Sequence, residues 1–463
     1  MTRKIICDAV HGIMSFHPDV YSELRQIINT SLFQRLRHIK QLSFAEFAYP
    51  GAVHNRFSHS IGAAYLSTLV FQAVFSGDKF NHEKQSILAI AALLHDIGHG
   101  PFSHVFESII NEILENKSKE EKIKHEDWAR IFLPKINQLI DSSLIIEAQK
   151  ILIKTEKEDK QWKLLRSIVS SQLDVDRFDY LLRDSHFCGV KYGVYDLHWL
   201  IDCLCRKEEV LCIDEKGINS VEHYIMARRL MNKNVYFHRV KCAAEYLLRV
   251  IFQIIHSELN NLVRADVKLK TDAVIIFLKD LLQNKSLKKE ELLENVFESY
   301  SNLTDIEVWS LLKTLSRIEF KNNDNIRLLK IISNNLITRN FPRVYRVKIG
   351  YSTYIEKEIS MFTDSLGGIA KYILHFKAEG FGGYKTTGEE IYYIDDSSEK
   401  GYRNVLAKSS ILKTTQSEKV RYLYFIEVSE LNSELNNVVE KKLDELVKEG
   451  YLIPFKKSLN ELR

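Results

Sequence analysis

The stretch LLHDIGHGPFSH, residues 93–104, decides how the fold of this chain is interpreted. An apolar run ends in the pair His95-Asp96, and two more histidines, His99 and His104, follow within the next eight residues. A single His-Asp pair is a weak signal, because a histidine in an apolar helix is usually a hydrogen-bonded core residue. Packing explains this concentration of histidine and aspartate poorly. A divalent metal held beside a phosphate explains it better.

Two further motifs supply the partners that such a metal site needs. HNRFSHSIG, residues 54–62, offers a second histidine pair, and LDVDRFDYLLRDS, residues 173–185, carries four aspartates and two arginines. In a helix, Asp176, Tyr180 and Asp184 would lie on one face, at positions i, i+4 and i+8. Two histidines with two carboxylates form a mixed nitrogen and oxygen ligand set, which suits Fe, Mn, Zn or Ni, whereas Mg prefers oxygen alone.

The composition is that of an ordinary globular protein. The 463 residues are 45% hydrophobic and 27% charged, with a net charge of +4 that argues neither for nor against nucleic acid. The six cysteines form no CxxC pair, which argues against a structural zinc and predicts free thiols in a reducing compartment. No apolar run reaches about 18 residues, so we expect neither a signal peptide nor a membrane span, and a cytoplasmic protein.

The hydrophobic pattern predicts a mainly α-helical protein with a small α+β lobe at its C-terminal end. Only 6 prolines and 18 glycines occur, which favours helices. We predict a helical catalytic core over residues 1–265, a helical extension over 266–342 and the α+β lobe over 343–463.

Within these parts, individual elements are predicted from the spacing of apolar residues and from turn residues. The core is predicted to contain an extended segment and turn over residues 1–16, helices at 22–43, 58–76, 83–96 and 219–262, and a helix over the LDVDRFDYLL segment. Further helices are predicted at 271–284, 304–318 and 433–449, and strands at 343–351, 389–396 and 420–428. The Lys/Glu-rich residues 115–127 favour a solvated surface, and EGFGGYK, residues 379–385, lacks the spacing of a phosphate-binding loop and favours a turn.

The motif residues match the needs of phosphate-ester hydrolysis. A metal held by His59, His95, Asp96 and Asp176 would lower the pKa of a bound water from about 15.7 towards 7. A histidine can protonate the leaving group, and His104 is the candidate. Three arginines could neutralise phosphate charge, namely Arg56, Arg177 and Arg228.

Together these segments resemble the HD-domain phosphohydrolases, and within that family the deoxynucleoside triphosphate (dNTP) triphosphohydrolases. The matching segments are Asp8-x-x-His11-Gly12, FQRLRHIKQL (33–42), PGAVHNRFSHSIG (50–62), LLHDIGHGPFSH (93–104), KHED (124–127), LDVDRFDYLLRDS (173–185) and, more diffusely, MARRLMNKNVYFHR (226–239). The resemblance covers residues 1–265 strongly and 300–345 faintly.

The resemblance implies a role for each matched residue. The metal ligands would be His59, His95, Asp96 and Asp176. The reacting phosphate would be lined by His99, His104 and His125, with Glu107, which replaces a shorter aspartate of the family, supporting a relay between His104 and His125. Arg56 would contact the α-phosphate, Arg177 stands where a lysine is common, and Tyr180 and Arg228 would hold the outer phosphates. Gln41 and Asp184 would read the 3′-hydroxyl, and Leu42 with Tyr236 would exclude a 2′-hydroxyl.

The implied activity is hydrolysis of dNTPs to deoxynucleoside and inorganic triphosphate, with a divalent transition metal (Fe, Mn, Zn or Ni) in the protein and Mg²⁺ on the substrate phosphates. The resemblance also implies a homo-oligomer, either a tetramer or a dimer, and a role in lowering dNTP pools, in housekeeping or in defence against phage.

An activating nucleotide is also implied by the resemblance. Lys4, Gln34 and Arg37 match positions that hold it, and Tyr49, His238 and Arg239 complete the expected set. Asn29 replaces the carboxylate that reads guanine, and its amide offers one acceptor and one donor, which suits thymine or uracil better than guanine. The alternative is that Asn29 only caps a helix beginning near Thr30.

Two other functions fit parts of the pattern. The metal ligands alone would equally serve a phosphodiesterase or nucleotidase acting on another nucleotide. A nucleotide-sensing or nucleic-acid-binding module with a vestigial site is the second alternative, although the complete ligand set argues against it.

Overall fold

The computed structural model describes residues 4–76, 81–115, 122–153, 159–320, 322–381, 384, 390–415 and 418–455. The α-helices are α1 (Pro18–Ile28), α2 (Ser31–Gln34), α3 (Arg56–Val74), α4 (His82–Leu94), α5 (His104–Ile113), α6 (His125–Ile140), α7 (Ser143–Leu152), α8 (Lys160–Val169), α9 (Val175–Cys188), α10 (Leu197–Asp202), α11 (Ile218–Met231), α12 (Arg239–Ala265), α13 (Ala273–Gln283), α14 (Lys289–Asn295), α15 (Phe297–Ser301), α16 (Asp305–Leu315), α17 (Asp324–Thr338), α18 (Ser352–Leu366), α19 (Ala370–Ile373), α20 (Ser410–Thr414) and α21 (Ser433–Lys448). The strands are β1 (Lys4–Asp8), β2 (Gly12–Phe16), β3 (Leu204–Lys207), β4 (Val210–Ile213), β5 (Arg343–Val347), β6 (Leu374–Phe381), β7 (Tyr392–Ile394), β8 (Tyr402–Asn404), β9 (Glu418–Phe425) and β10 (Leu452–Pro454). The predicted fold class, mainly α with a small strand-containing C-terminal region, is confirmed.

The chain forms two compact units built from interleaved segments. The first comprises residues 1–235, 280–305 and 382–417, and the second comprises residues 236–279, 306–381 and 418–463. The predicted division into domains at residues 265 and 342 stays a prediction.

The core of the first unit is built around α4. Every side chain from Gln85 to Leu94 is buried, as expected for a helix that is apolar all round. This helix packs against α1, α3, α7 and α8, and α3 in turn packs against α9. Asparagine side chains begin both inner helices, because Asn55 accepts a hydrogen bond from Ser58 N (3.1 Å) and Asn81 accepts one from Lys84 N (3.0 Å). These caps fix where each helix starts.

Two small sheets complete the first unit. β1 and β2 form an antiparallel hairpin that confirms the predicted extended segment and turn near the start of the chain. The other sheet has the order β3-β4-β7-β8, in which β4 and β7 are parallel and the other pairs are antiparallel.

The second unit combines a long helix with an antiparallel sheet. α12 packs along α17, and the sheet has the order β10-β5-β9-β6. Tyr246 of α12 donates a hydrogen bond to Tyr372 O (2.6 Å) and stacks on Tyr424 of β9, with the two ring centroids 5.3 Å apart. Among the described residues, no helix is both long enough and apolar enough to cross a membrane.

Several predicted elements differ from the observed ones. The single helix predicted over residues 22–43 is wrong, because α1 ends at Ile28 and Thr30 caps the next short helix by accepting from Phe33 N. The predicted helical block 219–262 is interrupted by a π-helix at Asn232–Tyr236.

In the C-terminal half, the three predicted strands correspond to β5, β7 and β9, although each observed strand is shorter or shifted. β3, β4, β6, β8 and β10 were not predicted. Of EGFGGYK, residues 379–381 end β6, and residues 382, 383 and 385 lie outside the described residues, as do 116–121 of the Lys/Glu-rich run.

Candidate functional site

Four nitrogen and oxygen donors from three separate motifs converge in the first unit. His59 lies in α3, His95 and Asp96 directly follow α4, and Asp176 lies in the first turn of α9. His59 Nε2 lies 3.2 Å from His95 Nε2, 3.2 Å from Asp176 Oδ1 and 3.5 Å from Asp96 Oδ2. His95 Nε2 lies 3.4 Å from Asp176 Oδ1. His59 and His95 therefore each lie near both Asp96 and Asp176.

These separations fit donors that surround one metal ion. With metal–ligand bonds of about 2.0–2.2 Å, neighbouring ligand atoms are about 2.8–3.6 Å apart in octahedral or tetrahedral geometry. His95 Nδ1 lies 2.7 Å from Ala92 O, which can only accept a hydrogen bond, so in the neutral ring the proton is on Nδ1 and Nε2 presents a lone pair. His59 is oriented in the same way, since its Nδ1 lies 2.7 Å from Asp179 Oδ2.

The electrostatics of this cluster also favour a cation. Burial lowers the pKa of His59, but its hydrogen bonds to Asp176 and Asp179 outweigh burial and raise it to about 10. Burial raises the pKa of Asp176, but hydrogen bonds from His59 and His95 bring it below its usual value. The carboxylates thus stabilise positive charge at this point, and the residues present fit a divalent metal.

Arg56 is bound to one of the predicted metal ligands. Its Nη1 donates to Asp96 Oδ2 and its Nε donates to Ser103 Oγ (2.8 Å), and the arginine is buried. Burial raises the pKa of Asp96, but the charges of Arg56 and His95 hold it well below its usual value. Arg56 therefore lies at the edge of the donor cluster.

Beside the donor cluster, three histidines and a glutamate form a second group. The rings of His99 and His125 stack with centroids 3.9 Å apart, and the ring of His104 stands edge-on to both. Glu107 Oε2 lies 3.0 Å from His125 Nδ1 and 3.8 Å from His104 Nδ1. His99 Nε2 lies 3.4 Å from Asp96 Oδ1, so this histidine connects the two groups.

The members of this histidine group have different protonation tendencies. Burial lowers the pKa of His125, but its hydrogen bond to Glu107 raises it above its usual value. Burial, together with the charges of Arg56 and His125, lowers the pKa of His99 well below its usual value. The side chain of His104 is 69% exposed. The group therefore combines a buried histidine whose pKa is lowered, a histidine whose pKa is raised by the neighbouring Glu107, and an accessible histidine.

A strained turn presents this histidine group. Phe102 and Ser103 have φ values of 51° and 59°, in the left-handed region that non-glycine residues rarely adopt. Asp305 holds the turn by accepting from Phe102 N (2.7 Å) and from Lys40 N (3.0 Å). No local sequence pattern indicates this contact, because Asp305 is about 200 residues from Phe102 in the chain. Asp305 thereby joins the segment that carries Gln41 to the segment that carries His104.

Three of the predicted phosphate-binding residues, Arg177, Tyr180 and Arg228, lie on α9 and α11. Arg177 donates to Asp174 and to Ser171 O, and Arg228 lies in the last turn of α11. The charges of Arg177 and Arg228 both act on the Tyr180 hydroxyl, but burial dominates and raises the pKa of Tyr180 to about 12. These three side chains are therefore close together, next to Asp176 of the donor cluster.

Several predicted substrate residues carry buried polar atoms that are unpaired within the described part of the chain. These atoms are Gln41 Oε1, His99 Nδ1, Arg177 Nε and Arg228 Nη1. Buried polar atoms are nearly always paired, so unpaired ones point to a ligand or ordered water. Asp184 is different, because its Oδ1 accepts from His54 Nε2 (2.7 Å). Leu42 is buried, and Tyr236 begins the second unit.

The residues predicted to bind an activating nucleotide are only partly brought together. Gln34 Nε2 donates to Ile28 O (2.7 Å), and Gln34 Oε1 accepts from Arg37 Nε (2.7 Å), so these two predicted residues touch. Lys4 lies at the exposed start of β1. Tyr49 donates to Asn234 O (2.7 Å) in the first unit. His238 and Arg239 begin α12 in the second unit.

The capping alternative for Asn29 is wrong. Asn29 is the exposed residue that ends α1, with its backbone N–H bonded to Arg25 O, and the following helix is capped by Thr30. The Asn29 side chain therefore has no capping role at the start of α2, and its proposed part in reading a base stays a prediction.

Comparison with known families agrees with this geometry. The HD domain family matches residues 56–184, and the HD associated region matches residues 195–287. The HD match contains all four donors of the candidate metal site.

Individual relatives extend the similarity beyond the HD domain. The chain is 35% identical to the uncharacterized protein YwfO of Bacillus subtilis over 256 residues, which are 54% of this chain and 55% of YwfO. It is 30% identical over 316 residues to the deoxynucleoside triphosphate triphosphohydrolase SAMHD1 homolog of Dictyostelium discoideum, covering 65% of this chain and 58% of that protein. The matched region therefore spans less than two thirds of either relative.

A solved structure covers more of the molecule. The crystal structure of a phosphohydrolase from Bacteroides thetaiotaomicron matches with a TM-score of 0.71 at 28% sequence identity, covering 92% of this chain and 100% of that chain. The chain belongs to the HD-domain phosphohydrolase family. It is homologous, at about 30% identity, to the SAMHD1 dNTP triphosphohydrolases, so the resemblance inferred from the motifs is confirmed.

Proposed function

We propose that this protein is a metal-dependent dNTP triphosphohydrolase that releases deoxynucleoside and inorganic triphosphate. The observation that carries the proposal is the four-donor cluster of His59, His95, Asp96 and Asp176, which lies beside a separate histidine–glutamate group. One group can activate a water and the other can move a proton, and hydrolysis of a phosphate ester needs both.

The metal would be held by the four donors of the cluster. A bound divalent metal supplies a Lewis acid that lowers the pKa of water and offsets phosphate charge. The mixed donors suit Fe, Mn, Zn or Ni, with Mg²⁺ accompanying the substrate phosphates. The outer contacts of both histidines, Nδ1 to Asp179 and Nδ1 to Ala92 O, keep their Nε2 atoms directed at this point.

Leaving-group protonation is assigned to the histidine–glutamate group. His104 is exposed enough to reach a substrate, and Glu107 contacts both His104 and His125. The raised pKa of His125 keeps a proton available in this group. We propose that this proton passes through His104 to the 5′-oxygen of the departing deoxynucleoside.

Phosphate binding is assigned to Arg177, Arg228 and Tyr180, with Arg56 at the phosphate next to the metal. Leaving a buried polar atom unpaired costs about 1–3 kcal/mol, so phosphate oxygens that pair with Arg177 Nε and Arg228 Nη1 would recover that cost. His99, neutral and next to Asp96, would line the same phosphate.

Sugar recognition is assigned to Gln41, Asp184 and Leu42. The unpaired Gln41 Oε1 could accept a hydrogen bond from the 3′-hydroxyl. The hydrogen bond from His54 holds the Asp184 carboxylate in position for the same hydroxyl. Leu42 is buried and offers no polar partner to a 2′-hydroxyl. Discrimination against ribonucleotides would follow from that lack of a partner.

Regulation and biological role extend the same proposal. An activating nucleotide would bind through Lys4, Asn29, Gln34 and Arg37, with Tyr49, and would favour a homotetramer or dimer. Hydrolysis would lower dNTP pools, in housekeeping or in defence against phage. Similarity to the deoxynucleoside triphosphate triphosphohydrolase SAMHD1 homolog of Dictyostelium discoideum supports this substrate class.

The test is a substrate panel. The purified chain, loaded with Mn²⁺ and supplied with Mg²⁺, is incubated with each of the four dNTPs, alone and mixed, and then with NTPs, nucleoside monophosphates and cyclic nucleotides. We expect hydrolysis of dNTPs. Turnover confined to monophosphates or cyclic nucleotides would instead assign a nucleotidase or phosphodiesterase. Absence of hydrolysis combined with salt-dependent DNA binding would assign a nucleic-acid-binding module.

A further inference from the structure

The tip of the β1–β2 hairpin has a built internal structure. Asp8 Oδ1 accepts hydrogen bonds from Val10 N (2.9 Å) and His11 N (3.0 Å), which closes the turn, and Gly12 follows with φ +64°. The turn therefore fixes the direction of the His11 side chain, which is 6% exposed.

The His11 side chain reaches Asp179 on α9. His11 Nε2 donates to Asp179 Oδ1 (2.7 Å), and Asp179 Oδ2 accepts from His59 Nδ1 (2.7 Å). Asp179 is fully buried. A single carboxylate thus connects the hairpin to one of the four metal donors.

Arg183 connects the Asp179 carboxylate to Asp8, the other hairpin residue, by donating hydrogen bonds to both. Its Nε and Nη2 donate to the two oxygens of Asp179 at 2.8 and 2.9 Å, and its Nη1 and Nη2 donate to Asp8 at 2.9 and 3.1 Å. Arg183 is itself fully buried. Both Asp8 and His11 therefore hold Asp179, one through Arg183 and the other directly.

Close packing of α3 against α9 places the Asp179 carboxylate directly against Gly62. A Cβ atom added at Gly62 of α3 would lie 1.9 Å from Asp179 Oδ1 and 2.6 Å from Arg183 Nη2. Because Gly62 has no side chain, the Asp179 carboxylate can lie next to His59.

We infer that the hairpin tip is a positioning device for the metal: Asp8 and His11 fix Asp179, which orients the His59 ring so that Nε2 faces the other three donors. The inference rests on the metal of the proposed function. In the described contacts, Asp8 and His11 bond none of the four donors themselves. Partners of this kind commonly change metal affinity by about 10- to 100-fold when removed.

The test measures metal affinity separately from catalysis and from folding. Wild type, His11→Ala and His11→Gln are titrated with Co²⁺ and Mn²⁺ against a competing chelator, the visible spectrum of bound Co²⁺ is recorded, and the Tm of each metal-free protein is measured. Cys7→Ser, an exposed position on the same hairpin, is the matched control. We expect His11→Ala to weaken binding about 10- to 100-fold with an altered Co²⁺ spectrum. His11→Gln, whose amide can donate to Asp179, should retain most of the affinity, and Cys7→Ser should retain all of it.

The outcomes separate the inference from the proposed function. A wild type that binds neither metal would refute the metal centre itself. A wild type that binds metal, with His11→Ala binding equally and with the same Co²⁺ spectrum, would overturn the positioning role, as would a lower metal-free Tm with unchanged affinity. If His11→Ala does not fold, Asp8→Asn is used, because it keeps the turn acceptor and removes the charge facing Arg183. Affinity equal to wild type in that variant would also overturn the inference.

Discussion

Replacing Glu107 with glutamine removes the charge that links His104 to His125 and barely changes the size of the side chain. Glu107 Oε2 accepts from His125 Nδ1 (3.0 Å) and from His125 N (3.1 Å), and it lies 3.8 Å from His104 Nδ1. A hydrogen bond to a charged group contributes about 1.5–3 kcal/mol, which corresponds to roughly 10- to 150-fold in rate if it is needed in the transition state. We expect kcat for dNTP hydrolysis to fall by that factor.

The pH dependence should change in a defined direction. The groups facing His125 include Glu107, Glu126, His99, His104 and Asp96. Glu107 raises the pKa of His125, so the proton is held up to higher pH in the wild type and is lost as the pH rises through that raised value. Without the Glu107 charge, the loss of activity on the alkaline side should begin at a lower pH.

Glu126→Gln provides the matched control. It removes one negative charge near the same histidine, but Glu126 Oε2 lies 3.5 Å from His125 Nδ1 and its side chain is 60% exposed. Exposed ion pairs contribute about 0–1 kcal/mol, so kcat should fall less than about fivefold. The assay is dNTP hydrolysis from pH 6 to about pH 10 for both variants. Equal rates and identical pH profiles for Glu107→Gln and Glu126→Gln would refute the proton-relay reasoning.

Other consequences can be tested with the same protein. The double variant His95→Ala/Asp96→Ala should lose turnover and bound metal while keeping its helical circular dichroism spectrum. A variant that stays active and fully metallated would contradict the assignment of these ligands. Because Leu42 offers a 2′-hydroxyl no partner, dATP should be used about 10- to 100-fold more efficiently than ATP, and equal kcat/KM for the two would contradict this. If Asn29 reads the base of an activating nucleotide, its amide, with one acceptor and one donor, suits thymine or uracil better than guanine, so GTP should be a poor activator and another nucleotide, such as dTTP, should replace it. Strong, selective activation by GTP in hydrolysis and sedimentation assays would show that argument to be wrong.

The donor cluster was accessible to sequence reasoning because each ligand lies in a short local motif. The sequence places His59, His95, Asp96 and Asp176 beside apolar helical runs, and the chemistry of these side chains by itself suggests a shared metal. The fold then brings the three motifs together through the packing of α3 against α4 and α9.

The contacts that position the donor cluster and its neighbouring turn could not be predicted from the sequence. Asp179 lies one helical turn from Asp176, and nothing in its local sequence indicates that it accepts from His59 and His11. Asp305 contacts Lys40 and Phe102 across more than 200 residues, which no local pattern records. Such pairings are set by tertiary packing.

Errors in the predicted elements have similar causes. The spacing of apolar residues predicts one helix over residues 22–43. It does not reveal the break at Thr30, whose side chain caps a new helix. The short strands β3 and β4 were missed because their sequences, LCRK and VLCI, are too brief to show alternation.

The measurement that tests the central claim most directly is the identity of the bond that is cleaved. Products formed from dATP by the metal-loaded protein are followed by ³¹P nuclear magnetic resonance together with chromatography of the nucleoside. The account predicts deoxyadenosine and intact tripolyphosphate in equal amounts, and neither product with His95→Ala/Asp96→Ala. Release of pyrophosphate with dAMP, or of orthophosphate with dADP, would contradict it.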